Sequence, residues 1–227
     1  MNKTEIIKQL QSHANPKNVE GMQRFGIQGG KMLGVSVPVV RKMAKQIGKS
    51  HTLAQKLWDT GIHEARILAP LIDEVDKVTE AQMDRWVKDF NSWDIVDQCC
   101  SNLFDKTPFV YRKAVEWTKR DEEFVKRTGF VLMATSAVHD KKAPDAQFKK
   151  FLPIIKKYST DERNFVKKAV NWALRQIGKR NLALNKKAIK VAKEIQKIDS
   201  KAAKWIANDA IRELKSEKIK QMLKRNR

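Results

Sequence analysis

Phe165-Val166-Lys167-Lys168-Ala169-Val170-Asn171-Trp172 decides the fold, because pieces of it recur elsewhere in the chain. Phe124-Val125-Lys126-Arg127 repeats its opening 41 residues earlier, and both copies follow acidic residues at a helix start. Arg112-Lys113-Ala114-Val115-Glu116-Trp117 echoes Lys167 to Trp172. Helix pairs recurring at about 40 residues mark a HEAT-like stack, in which each pair buries its apolar face only against the next. The expectation is all-α: a right-handed HEAT-like (ARM-like) helical-repeat solenoid, one domain over 1–227, with a concave basic groove.

Working outward, helical periodicity covers most of the chain. Thr4 to His13 and Pro16 to Phe25 read as short helices, followed by a loop with Gly26, Gly29, Gly30 and Gly34. That loop is the most flexible stretch by composition and matches neither phosphate-cradling glycine pattern. Ser36-Val37-Pro38 opens a helix to about Gly48. Further helices are expected at 52–60, 63–75, 79–90, 92–104, 109–118, 121–135, 144–158, 162–178, 181–195 and 201–214, then a charged tail helix. Alternation of period two, the signature of a strand, is absent.

Two helices carry candidate site residues. At about 100° per residue, Val166, Val170, Ala173, Leu174 and Ile177 form a core stripe. Phe165, Lys168, Trp172, Arg175 and Lys179 fall in a wedge of roughly 80° on the other side. Aromatics interleaved with cations suit contact with phosphate and sugar, or else rings tucked into a neighbouring repeat. If the repeats superpose, Arg127 takes the place of Lys168 and faces the same groove. Within Asn91-Ser92-Trp93-Asp94-Ile95-Val96-Asp97-Gln98-Cys99-Cys100, Ser92 reads as an N-cap and Asp94 sits in the first turn. Ile95, Val96, Cys99 and Leu103 share the core side, and Trp93, Asp97, Cys100 and Phe104 a second side. Asp97 therefore lies on a partly apolar face, either paired with a cation or aimed where positive charge will develop.

Charge narrows the partner. The 227 residues hold 47 Lys and Arg against 26 Asp and Glu, a formal net charge of +21. Such an excess favours a polyanion, nucleic acid before an anionic membrane surface. Hydrophobic residues make up 41%, enough for a folded core rather than a basic tail. Cys99 and Cys100 are the only cysteines and adjoin each other, which suits small apolar packing in a reducing compartment better than a disulfide. His13, His51, His63 and His139 share no ligand spacing, so no metal site is expected. Without a signal-peptide pattern or an apolar run of membrane length, the expectation is a soluble, cytoplasmic protein with no membrane partner.

The chain resembles the AlkD-type DNA alkylation repair glycosylases, a HEAT-like family. The likeness runs through Gly21-Met22-Gln23-Arg24-Phe25, Gly34-Val35-Ser36-Val37-Pro38 with Arg41, Ser92-Trp93-Asp94-Ile95-Val96-Asp97, Lys126-Arg127-Thr128 and Ala169-Val170-Asn171-Trp172-Ala173-Leu174-Arg175. The resemblance implies excision of cationic N3- and N7-alkylated purines from duplex DNA; no cofactor is expected, and a solenoid groove works as a monomer. It makes Asp97 the catalytic carboxylate, Trp93 and Trp172 the sugar-contacting aromatics, and Arg127 the cation beside the lesion. Arg41 and Arg175 become backbone contacts, and Phe25 stands where the family often has tyrosine, losing a hydroxyl near the lesion. Together with Lys168 and Lys179 on the wet face, these form the candidate DNA-binding set. No lysine stands out as a Schiff-base nucleophile, so a monofunctional enzyme is expected. The alternatives are a non-catalytic DNA-binding solenoid that senses bent or damaged duplex, and a protein- or ribosome-binding helical scaffold.

Overall fold

The computed structural model describes residues 1–225, so the last two positions of the expected 1–227 domain lie outside the described residues. The described chain is helical, with one isolated bridge between Lys31 and Ile62 and no strand. It forms two compact units, Met1–Phe109 and Val110–Arg227.

The first unit contains α1 (Lys3–Ser12), α2 (Pro16–Arg24), α3 (Val37–Ile47), α4 (His51–Trp58), α5 (His63–Ile72), α6 (Glu80–Lys88) and α7 (Trp93–Asn102). Helix α5 is its hub, packing on α3, α4 and α7 and burying eight of its ten residues. It ends at Ile72 rather than running to Val75. Asp73 turns extended there, and its buried carboxylate bonds the Glu74 amide, His51 Nδ1 and Gln82 Nε2. Trp58 of α4 and Trp86 of α6 stack with centroids 4.0 Å apart, and Phe90 and Phe104 pack around them. A buried aromatic removes about 150–250 Å² from water. At ~25 cal/mol per Å² that is roughly 4–6 kcal/mol of gross stabilisation each.

The second unit contains α8 (Val110–Trp117), α9 (Glu123–His139), α10 (Asp145–Lys149), α11 (Phe151–Lys157), α12 (Asn164–Gly178), α13 (Leu182–Gln196), α14 (Lys201–Leu214) and α15 (Glu217–Arg225). The helix expected over 144–158 is broken into α10 and α11 at Lys150. Pro153 has no amide to give the Lys149 carbonyl, and its ring crowds that turn, which favours the break. Helix α12 packs along α9 on one side and α13 and α14 on the other. Its expected core stripe, Val166, Val170, Ala173, Leu174 and Ile177, is fully buried. The repeat in sequence is a repeat in space: Phe124 and Phe165 meet ring to ring at 5.6 Å.

Candidate nucleic-acid interface

In the first unit the site is built on α7. Its expected core residues Ile95, Val96, Cys99 and Leu103 are buried, as are Cys100 and Phe104, while Trp93 and Asp97 stay half-buried one turn apart. Both cysteines are free, and burial pushes the Cys99 thiol well above its ordinary pKa, which suits a packing role. Ser92 occupies the N-cap position but makes no capping bond; its hydroxyl donates to Asp94 Oδ1 at 2.7 Å instead. The same carboxylate accepts from the Ile95 amide (3.0 Å) and from Nε2 of buried His63 (2.8 Å). Burial pushes the Asp94 carboxyl up, but His63, Ser92 and the Ile95 amide together hold it below its ordinary value. An ionised carboxylate only accepts, which places the proton of that imidazole on Nε2.

Two of the expected DNA contacts converge on this helix. The Trp93 indole Nε1 donates to the carbonyl of Phe25, the C-cap of α2, at 3.1 Å. The Phe25 ring itself is 75% exposed. Arg41 on α3 reaches Gln98 Oε1, one residue past Asp97, at 3.1 Å. Arg41 also borders a cleft of about 460 Å³ with Ala44, Lys45, Gly48, Lys49 and Leu71, three cations and no carboxylate. The end of the glycine loop is pinned where it leads into α3. Buried Glu64 accepts from the amides of Leu33, Gly34 (2.6 Å) and Val35.

In the second unit the wet face of α12 is present but partly occupied. Lys168 is exposed, and Phe165, Trp172, Arg175 and Lys179 are half-buried. Arg175 Nη1 is hydrogen-bonded to Glu213 and lies 3.6 Å from Asp209; Lys179 Nζ donates to Glu213 at 2.7 Å. Burial pushes the Glu213 carboxyl up, and the two cations more than offset this and hold it below its ordinary value. A phosphate approaching Arg175 or Lys179 therefore competes with a carboxylate already in place. Arg127 does not share the exposure of Lys168. It is 5% exposed, and its Nη1 donates to the Phe165 carbonyl at 2.7 Å. An arginine so deep in the α9–α12 contact orders the backbone at Phe165. Likewise Trp117 and Lys113 are buried where their echoes Trp172 and Lys168 are not, because α8 packs against α9 on that side.

A family model described as DNA alkylation repair enzyme matches residues 6–214. The chain belongs to that family. A solved structure similar in fold is described as "a new family of proteins related to the HEAT-like repeat DNA glycosylases with affinity for branched DNA structures". It superposes with a TM-score of 0.79 at 18% identity, over 94% of this chain and 95% of that one. The fold is therefore HEAT-like. Comparison with curated proteins gave no match.

The family motifs fall at anchored positions. Gly34 has φ +76°, and a Cβ there would lie 2.1 Å from the Asn15 carbonyl oxygen, so the Gly34-Val35-Ser36 segment tolerates no side chain at its start. Sequence reading missed His63, Glu64, Gln98, Asp209 and Glu213. One signal could have found the last two. Hydrogen bonds from Arg127, Asn171 and Arg175 all reach partners 38 residues onward. Among the described residues no group of three or more metal-ligating side chains gathers, and no helix is long and apolar enough to cross a membrane.

Proposed function

We propose that this family member is a monofunctional DNA glycosylase that removes cationic N3- or N7-alkylated purines from duplex DNA. The observation that carries the reading is Trp93 and Asp97, half-buried one turn apart on α7, with Phe25 and Arg41 hydrogen-bonded to the same helix. Alkylation at N3 or N7 leaves the purine positively charged. The C1′–N bond can therefore break with its electron pair going to the base, which departs neutral and needs no general acid. The deoxyribose left behind is oxocarbenium-like. The Asp97 carboxylate stabilises that charge and takes a proton from the water that attacks C1′. Trp93 lays an aromatic face against the sugar and favours the same positive charge; Trp172 is the candidate sugar-contacting aromatic of the second unit. No step requires a cofactor.

In this reading Phe25, Arg41, Lys168, Arg175 and Lys179 hold the DNA, with Arg41 and its basic cleft taking backbone phosphate. Arg127 orders the DNA-facing side of the second unit from behind Phe165. One chain suffices. The test is base release from duplexes carrying 7-methylguanine or 3-methyladenine, with hypoxanthine as a neutral control. Release of the two cationic bases and not the neutral one is expected; release of none above the spontaneous rate sinks the enzymatic reading.

One observation favours a second reading, binding without excision. The similar fold belongs to a protein described by its affinity for branched DNA. A chain that binds a four-way junction far more tightly than linear duplex, and releases no base from either, would be of that kind.

A further inference from the structure

Among the described residues two large aromatic residues are exposed, Phe25 and Trp205, and only Phe25 has a part in the site above. Trp205 shares a stripe of α14 with Asp209 and Glu213, at i, i+4 and i+8. That stripe faces Lys167, Asn171 and Arg175 of α12 in three rungs. Two rungs are polar pairs: Asn171 Nδ2 donates to Asp209 Oδ2 at 2.7 Å, and Arg175 bonds Glu213. The third puts tryptophan where the pattern would put an acid for Lys167, whose Nζ lies 5.4 Å from the indole centroid.

Leaving an indole 42% exposed costs hydrophobic stabilisation that an acid paired with Lys167 would not. Its surroundings are cationic: Lys168, Lys201 and Lys204 are exposed. The nearby acids are engaged, Asp199 by Lys204, Asp209 by Asn171 and Arg212, and Glu162 by the Ser200 hydroxyl and the Ala202 amide at the start of α14. A lone aromatic among lysines is too small an apolar patch for a protein hot spot. It has the composition of a single-strand contact, where a base stacks on the ring and cations meet the flanking phosphates. Lys168 and Trp172 on α12 continue the same face of this unit.

We propose that Trp205 is a stacking platform for an unpaired base of bound DNA, with Lys167 bracing the indole and Lys168 and Lys201 receiving the adjoining phosphates. The inference rests on the DNA-binding part of the function proposed above. The probe is a duplex with one bulged 2-aminopurine, compared with its fully paired counterpart, each titrated with the full-length chain. Wild type should bind the bulged duplex more tightly and quench the 2-aminopurine emission. Trp205→Ala should weaken bulge binding about tenfold and abolish the quench. It should leave paired-duplex affinity within about twofold, since stacking needs an unpaired base. Trp205→Phe should retain most of both effects. If Trp205→Ala keeps the bulge preference and the quench, or wild type shows neither while binding paired duplex, the platform is wrong and DNA binding stands. If wild type binds neither duplex, both readings fall.

Discussion

At the scale of single residues, what fixes the candidate site is hydrogen bonding to the first turn of α7. Asp94 gathers Ser92, the Ile95 amide and His63, and Trp93 is tethered at its indole nitrogen. The Asp94 carboxyl is held below its ordinary pKa. Its contribution to stability is therefore complete above the unfolded value, about 3.9, and is lost as pH falls through the lower folded value. Asp94→Asn should flatten the acid side of a Tm-against-pH profile; a profile parallel to wild type contradicts this account. The spacing of Trp93 and Asp97 on one helix face was legible in the sequence, because helical geometry alone sets it. Their supports were not. A tether to the Phe25 carbonyl depends on where α2 ends in space, and Gln98 is an unremarkable polar residue until Arg41 is seen to reach it.

At the scale of elements, helix positions followed from periodicity and caps, and departures trace to single residues: Asp73 ending α5, Pro153 dividing α10 from α11. The clamp at the end of the glycine loop was not legible in the sequence, because it comes from Glu64, about 30 residues on. Gly34→Ala combines φ +76° with a Cβ contact on backbone. It should cost about 2–4 kcal/mol, or roughly 5–15 °C in Tm; an unchanged melting curve refutes that packing. Between α12 and α14, Glu213 holds both Arg175 and Lys179. Glu213→Gln should tighten binding to undamaged duplex several-fold, and the gain should vanish when Arg175 and Lys179 are already alanine. A gain that persists there would mean general charge, not release of these two cations. The 41-residue repeat pointed to the Phe124–Phe165 contact, but the polar pairs run 38 residues apart and were not legible in it.

At the scale of the whole molecule, the net charge of +21 and the repeat were enough to anticipate a HEAT-like fold and a nucleic-acid partner. Composition could not say which cations are available. Lys168 is exposed, whereas Arg175 and Lys179 are shared with Glu213. Duplex binding should weaken steeply with salt, and Lys168→Ala should lower the log–log slope by about one. An unchanged slope would remove Lys168 from the interface. The central claim concerns Asp97, and its most direct measurement is single-turnover release of 7-methylguanine from duplex DNA by wild type and Asp97→Asn, with affinity for the same duplex measured alongside. We predict a fall in release of about 100-fold or more with affinity kept or improved, since a negative charge has left a basic surface. Equal release by the two proteins would contradict the account and leave Asp97 without a chemical role.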